Sequence, residues 1–178
     1  MISEISTRGQ VARLALLDGV LLAFACLIPT ASHLFAVPLY VANPMLALLL
    51  AGMLFEVRGG RYNIGVWNSL ALAVLMPLVS CLFVGMPTAP KMVCMMAELA
   101  TVAGLFHLFM NFEFRISSFK IGVLPAVLVS VLAAKGVYYL LKAVIIAPAV
   151  LVDTEWWMQL LAVLLWGGLF AILYNRKK

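Results

Sequence analysis

Charged side chains inside apolar stretches are the residues best suited to chemistry in this chain. Glu98 follows the turn sequence GMPTAPK and lies about two helical turns into an apolar segment, and Lys135 lies inside a later one. An ionised group within a membrane costs on the order of 2.5–3.5 kcal/mol on insertion scales, so it is usually kept for a function and given a partner. We predict that Glu98 and Lys135 meet at one depth, either in a ligand-binding cavity or as a structural ion pair.

The segment that holds Lys135 carries further polar groups. Lys142 follows seven residues later, with Tyr138 and Tyr139 between the two lysines. Seven residues are nearly two helical turns, so both ammonium groups and at least one tyrosine share a face. We interpret Lys142 as a residue that snorkels to the membrane surface, and Tyr139 as a candidate ligand contact.

Two connections supply further candidate binding residues. Pro29 and Pro38 bound a stretch that we predict to leave the membrane as an irregular lid, with His33 as its most versatile side chain. A single histidine in a loop is more often a hydrogen-bonding residue than a metal ligand. Trp156 and Gln159 begin the last apolar segment, where either is a candidate pocket residue, although a tryptophan there is usually an interfacial anchor.

The composition indicates what kind of scaffold positions these residues. Of 178 residues, 66% are hydrophobic and 11% are charged, whereas soluble domains are about half apolar and about a quarter charged. We therefore predict an all-α, polytopic membrane protein in which one domain of six transmembrane helices occupies the whole chain. The predicted spans are about 11–28, 39–55, 64–84, 92–112, 121–146 and 156–174.

The basic residues predict the orientation of these spans. If six spans alternate in direction, the connection after the second span and the connection after the fourth lie on the same side of the membrane as both termini. Nine of the twelve lysines and arginines lie on that side. The positive-inside rule then predicts that both termini are cytoplasmic. The net charge of +5 does not indicate nucleic-acid binding, because the chain has no basic stripe and no interleaved aromatic platform.

Metal and catalytic motifs are scarce. Cys94 lies among several methionines that would suit Cu(I), but methionine is also a common apolar filler, and we expect neither a metal nor another cofactor. The sequence lacks GxSxG, HExxH, paired-aspartate and phosphate-loop motifs. We therefore expect no enzymatic activity, and the alternative of an intramembrane hydrolase would have to use Ser80 with His33.

Small residues form a stripe on the first apolar segment. Ala15, Gly19 and Ala23 recur at four-residue intervals, which makes a flat surface where another helix can approach closely. The spacing fits a protein partner and internal packing equally well.

The six-span plan, the Pro-bounded stretch around His33 and one further pattern resemble the substrate-binding S components of energy-coupling factor (ECF) transporters. The pattern, GMPxxPK followed by MxxEL and a glycine, comprises Gly85, Met86, Pro87, Pro90, Lys91, Met95, Glu98, Leu99 and Gly104. The resemblance implies a bacterial or archaeal cell-membrane subunit that captures a vitamin or related micronutrient at its outer face.

The same resemblance implies the partners. An S component is not itself an ATPase and acts with a membrane coupling subunit and two cytoplasmic ATPases. Family members contact the coupling subunit through small residues on the first helix, which correspond here to Ala15, Gly19 and Ala23.

The sequence does not identify the substrate, and it leaves one alternative class of protein open. Glu98 with Lys135 would suit a zwitterion, whereas Lys135 with Lys142 would suit a carboxylate or phosphate. The alternative is a structural membrane protein of the cell-shape and wall-synthesis type, similar to MreD, which has six spans and no small-molecule ligand.

Overall fold

The computed structural model describes the backbone of residues 2–34, 43–57, 62–111, 123–146 and 156–175. It describes the side chains of residues 12–31, 43–54, 65–110, 123–146, 157 and 159–175. Within these ranges 95% of residues are helical and none is in a strand. The prediction of an all-α fold is therefore confirmed for the described part of the chain.

The described residues form six helices, one within each apolar segment of the sequence. They are α1 (Ile2–Leu34), α2 (Pro44–Val57), α3 (Tyr62–Val84), α4 (Ala89–Asn111), α5 (Val123–Ile145) and α6 (Trp156–Asn175).

Four of the helices are long and apolar enough to cross a membrane. The qualifying stretches are Ala12–Ala31, Gly65–Val84, Ala89–Met110 and Val123–Ile145, while α2 and α6 contain shorter apolar stretches. This composition indicates a membrane protein.

The first helix corrects the prediction of an irregular lid after Pro29. Helix α1 continues through Pro29 to Leu34, so the backbone of His33 is helical, and only the later part of the predicted lid lies outside the described residues. Proline removes one backbone hydrogen-bond donor from the helix. Ending the helix there would free further backbone groups, and an apolar environment has no water to bind them. The Thr30 hydroxyl also donates to the Cys26 carbonyl one turn earlier, at 3.1 Å, so it bonds within the helix.

A tight turn joins α3 to α4. The amide of Gly85 donates to the Cys81 carbonyl at 3.0 Å, and Gly85 has φ +74°, a conformation that glycine adopts without a steric penalty. The Ser80 hydroxyl donates to the Met86 carbonyl at 2.7 Å and ties the turn to α3. The Met86–Pro87 peptide is cis. We call the end of the bundle that carries this turn the turn end.

The helices close around one hydrophobic core to which all six contribute. Helix α2 is central, because it packs against α1, α3 and α6, while α4 lies between α3 and α5, and α5 contacts α6. Leu46, Leu49 and Met53 of α2 are fully buried in this core. At the other end from the turn, Phe106 of α4 packs edge-on against Phe170 of α6 with ring centroids 5.2 Å apart.

Close helix approaches depend on two glycines. A Cβ at Gly52 of α2 would lie 3.1 Å from a methyl carbon of Leu21 and 3.2 Å from one of Leu72. A Cβ at Gly167 of α6 would lie only 2.8 Å from a methyl carbon of Leu128. The outer surface, by contrast, exposes large apolar side chains on every helix whose faces are described except the central α2. Such a surface is suited to lipid rather than water.

Candidate functional site

The structure brings Glu98 of α4 and Lys135 of α5 together. The Lys135 Nζ lies 2.8 Å from Glu98 Oε1, and the two side chains are 12% and 4% exposed. Glu98 is nine residues after the first residue of α4 and Lys135 ten residues before the last of α5. At 1.5 Å per residue, both lie about 14–15 Å from the turn end, which is close to the middle of a bilayer core about 30 Å thick. The prediction that the two charges share a depth is confirmed.

A third element, the start of α2, completes the environment of the carboxylate. The side-chain amide of Asn43 donates to Glu98 Oε1 at 3.0 Å, so both contacts use the same oxygen. The Asn43 carbonyl accepts from the amides of Leu46 and Ala47, which makes Asn43 the N-cap of α2. Its φ of 47° is in the left-handed region, which asparagine tolerates better than most residues. Glu98 therefore lies at the positive end of a helix dipole.

Sequence reasoning missed Asn43 as a partner of Glu98. The two residues are 55 positions apart, and nothing in their spacing relates them. The only available signal was the sequence Asn43-Pro44, because asparagine is a preferred N-cap and proline is favoured in the first helical turn. That signal marks the start of a helix and does not indicate its neighbours.

Two tyrosines lie between the ion pair and the turn end. Tyr138 and Tyr139 of α5 are both buried, with rings perpendicular and centroids 5.1 Å apart, and they pack against the buried thiol side chain of Cys94. The Lys135 ammonium lies 5.5 Å from the Tyr138 ring centroid. Tyr139, a predicted ligand contact, thus lies near the ion pair, and Cys94 serves as an apolar packing residue there.

Lys142 lies one turn from the end of α5, and its ammonium is held over tyrosine rings. Nζ is 5.8 Å from the centroid of Tyr138 and 5.9 Å from that of Tyr139. These distances are within the range of cation–π attraction. Lys91, in the first turn of α4, is an exposed lysine at the same end of the bundle.

Of the remaining predicted binding residues, Gln159 has a described side chain. Gln159 is half-buried on α6, and it makes none of the polar contacts of Glu98 and Lys135 found in the described residues. The side chains of His33 and Trp156 lie outside the described part of the structure. Their roles stay predictions.

The small-residue stripe faces outward. Ala15, Gly19 and Ala23 are exposed on α1, and a Cβ at Gly19 would meet no atom within 4 Å. The interpretation of the stripe as internal packing is therefore wrong for the isolated chain. The exposed face is open to lipid or to another helix.

Two further polar pairs lie between α1, α3 and α4. The Asn68 amide donates to Asp18 at 3.2 Å, and Ser69 Oγ lies 3.1 Å from Nε2 of buried His107. The His107 ring thus lies inside the bundle, where it is paired with Ser69. Ser80, the alternative nucleophile, instead donates to a turn carbonyl.

No resident metal centre emerges in the part of the chain that the structure describes. Its histidine, cysteine, aspartate and glutamate residues form no group of three that would hold an ion. Comparison of the chain with protein-family models, with curated proteins and with solved structures finds no match in any of the three.

Proposed function

We propose that this protein is the substrate-capture subunit, or S component, of an ECF-type importer for a vitamin or related micronutrient. In this proposal the six apolar segments of the sequence cross the cell membrane, both termini are cytoplasmic, and the turn end faces outward. The protein hydrolyses nothing itself and delivers its cargo with a membrane coupling subunit and two cytoplasmic ATPases.

One observation carries the proposal: an ion pair held near the middle of the bundle by three separate elements. Glu98, Lys135 and Asn43 come from α4, α5 and the start of α2. A buried ion pair is weak evidence for stability, because apolar residues of similar volume often serve a core as well or better. Ionisable groups at this depth more often mark a binding or transport path.

The arrangement explains how a small polar ligand would be recognised. A cationic group on the ligand would replace the Lys135 ammonium at Glu98 Oε1, and an anionic group would compete with Glu98 for Lys135. A zwitterionic ligand that makes both exchanges keeps every buried charge paired. Nanomolar affinity corresponds to about 12 kcal/mol, so apolar closure around the ligand must supply most of the binding free energy.

The exposed stripe on α1 supports the proposed partner. Ala15, Gly19 and Ala23 leave a shallow surface of small side chains on the outside of the bundle. In lipid, helices associate through close backbone approach rather than the hydrophobic effect, and such a surface permits it. We assign this face to the coupling subunit.

Purification from native membranes tests the class of protein. The tagged full chain is extracted in a mild uncharged detergent, and the associated proteins are identified by mass spectrometry. Recovery of a membrane coupling subunit with two ATPases is expected. Recovery of wall-synthesis proteins without an ATPase would contradict the proposal and favour the structural alternative.

The role of the ion pair is tested by comparing stability with ligand capture. The double variant Glu98→Gln/Lys135→Met has no charge left unpaired at this position, so it is expected to fold about as stably as the parent. We expect it to lose the small molecules that co-purify with the parent chain, as measured by mass spectrometry of the released compounds. Unchanged capture by a well-folded double variant would show that the pair is only structural.

A further inference from the structure

We infer that Lys142 and Lys91 form an anion site at the turn end, which binds a carboxylate or phosphate group of the cargo. This inference rests on the proposed function, and it names a substrate class that the function leaves open. Its first support is the helix register. Starting from the contact between Glu98 and Lys135, a step of seven residues toward the turn end leads to Lys91 on α4 and Lys142 on α5.

The neighbours along this register agree with it. Cys94 of α4 packs with Tyr138 and Tyr139 of α5 between the two levels, and Met95 packs against the same cluster. The antiparallel pair thus places Lys91 and Lys142 at the same level. Two like charges at one level repel each other unless an anion lies between them.

The balance of charge is the second support. Lys91, Lys135 and Lys142 bring three ammonium groups to this part of α4 and α5, and Glu98 brings one carboxylate, which already pairs with Lys135. Among the described residues, Lys142 has no carboxylate partner and instead lies over the Tyr138 and Tyr139 rings. Within the described part of α4 and α5, two positive charges are therefore not matched by a carboxylate.

The position of Lys142 is the third support. It argues against the interpretation that this lysine extends its ammonium to the membrane surface. A snorkelling lysine extends its ammonium away from the apolar core to reach water. The Lys142 side chain is partly buried, and Tyr138 lies within cation–π range of both Lys142 and Lys135. The rings hold the Lys142 ammonium beside the approach to the buried pair, where it would meet an entering anion.

Binding of two simple anions tests the inference without knowledge of the cargo. The full chain, in nanodiscs of zwitterionic phosphatidylcholine, is titrated with inorganic phosphate and with acetate at constant ionic strength, and its thermal midpoint is recorded. We expect a saturable rise in the midpoint with at least one probe. Lys142→Gln should weaken the apparent affinity about tenfold or more, as loss of a charged hydrogen-bond partner does.

Three matched variants make the test specific. Lys142→Arg keeps the cation and should retain binding, whereas Lys91→Gln should weaken it. Arg13→Gln removes one exposed positive charge from α1 and should change nothing. Equal affinity in the parent and the Lys142→Gln variant, or no saturable effect of either probe, would overturn the inference.

Lipid and cargo are distinguished by the composition of the nanodisc. If the site takes an anionic lipid headgroup, adding phosphatidylglycerol should abolish the effect of the probes, and this result would overturn the assignment to cargo. An unchanged affinity would support it. Co-purification of ATPases without an anion effect would refute this inference and leave the transporter class standing. An anion effect without ATPases would instead refute the transporter class, and the assignment to cargo with it.

Discussion

Removing one partner of the buried ion pair should destabilise the protein far more than removing both. Lys135→Met leaves the Glu98 carboxylate, which is 4% exposed, with the Asn43 amide as its one polar contact among the described residues. At 2.8 Å the attraction between the charges is about 6 kcal/mol for an effective dielectric constant of about 20. Desolvation offsets much of that gain, so breaking such a pair typically costs about 3–5 kcal/mol, whereas replacing both partners is close to neutral.

The two single variants should differ from each other. In Glu98→Gln the new amide oxygen still accepts from Asn43, and the Lys135 side chain, which is 12% exposed, has a flexible stem that can carry its ammonium toward the turn end. We expect a loss of about 1–3 kcal/mol for this variant, less than for Lys135→Met. Lys91→Met, which removes an exposed ammonium, serves as the control and should cost less than about 0.5 kcal/mol.

Thermal unfolding in one uncharged detergent measures these differences. For a chain of this length 1 kcal/mol moves the midpoint by about 2–4 °C, so Lys135→Met should lower it by about 6–20 °C. The double variant should recover most of that loss. If the double variant instead loses the sum of the two single effects to within about 0.5 kcal/mol, the two side chains are not coupled and the reasoning fails.

Three further predictions concern other parts of the molecule. Gly19→Leu on the exposed face of α1 should abolish co-purification of the ATPases while leaving the thermal midpoint unchanged; a lowered midpoint would show that this face packs within the chain. Gly52→Leu should cost about 1–3 kcal/mol by overpacking, whereas Gly168→Leu, where a Cβ meets nothing within 4 Å, is its control. Equal midpoints for those two variants would contradict the close approach. Ser80→Ala should cost about 0.5–1.5 kcal/mol, the value of its bond to the Met86 carbonyl, and an unchanged midpoint would show that the bond contributes nothing.

The sequence predicts the helices well because the signal for them is local. Each of the six apolar segments contains a helix, and the turn after Gly85 lies where the prolines indicate. The pairing of Glu98 with Lys135 also followed from the sequence, since counting residues from the ends of two adjacent helices gives their depth. These inferences need only chain length, hydropathy and the rise of a helix.

Contacts between distant segments could not be predicted from the sequence. The hydrogen bond from Asn43 to Glu98 depends on which face each helix turns toward its neighbours, and so does the contact of Ser69 with His107. A helix that is hydrophobic on all sides does not specify that face in its sequence. Pro29 was assigned to a helix end because proline breaks helices in water. In an apolar environment continuing the helix costs less than freeing its backbone groups.

The ion pair also constrains the order of events during synthesis. Lys135 follows Glu98 by 37 residues, so the ribosome makes the base later than the acid by about 2–7 s at ordinary elongation rates. Until then, α4 has an unmatched carboxylate, which opposes its release from the insertion machinery into lipid. The hairpin of α4 and α5, rather than either helix alone, is thus the smallest unit that can leave that machinery with Glu98 and Lys135 paired.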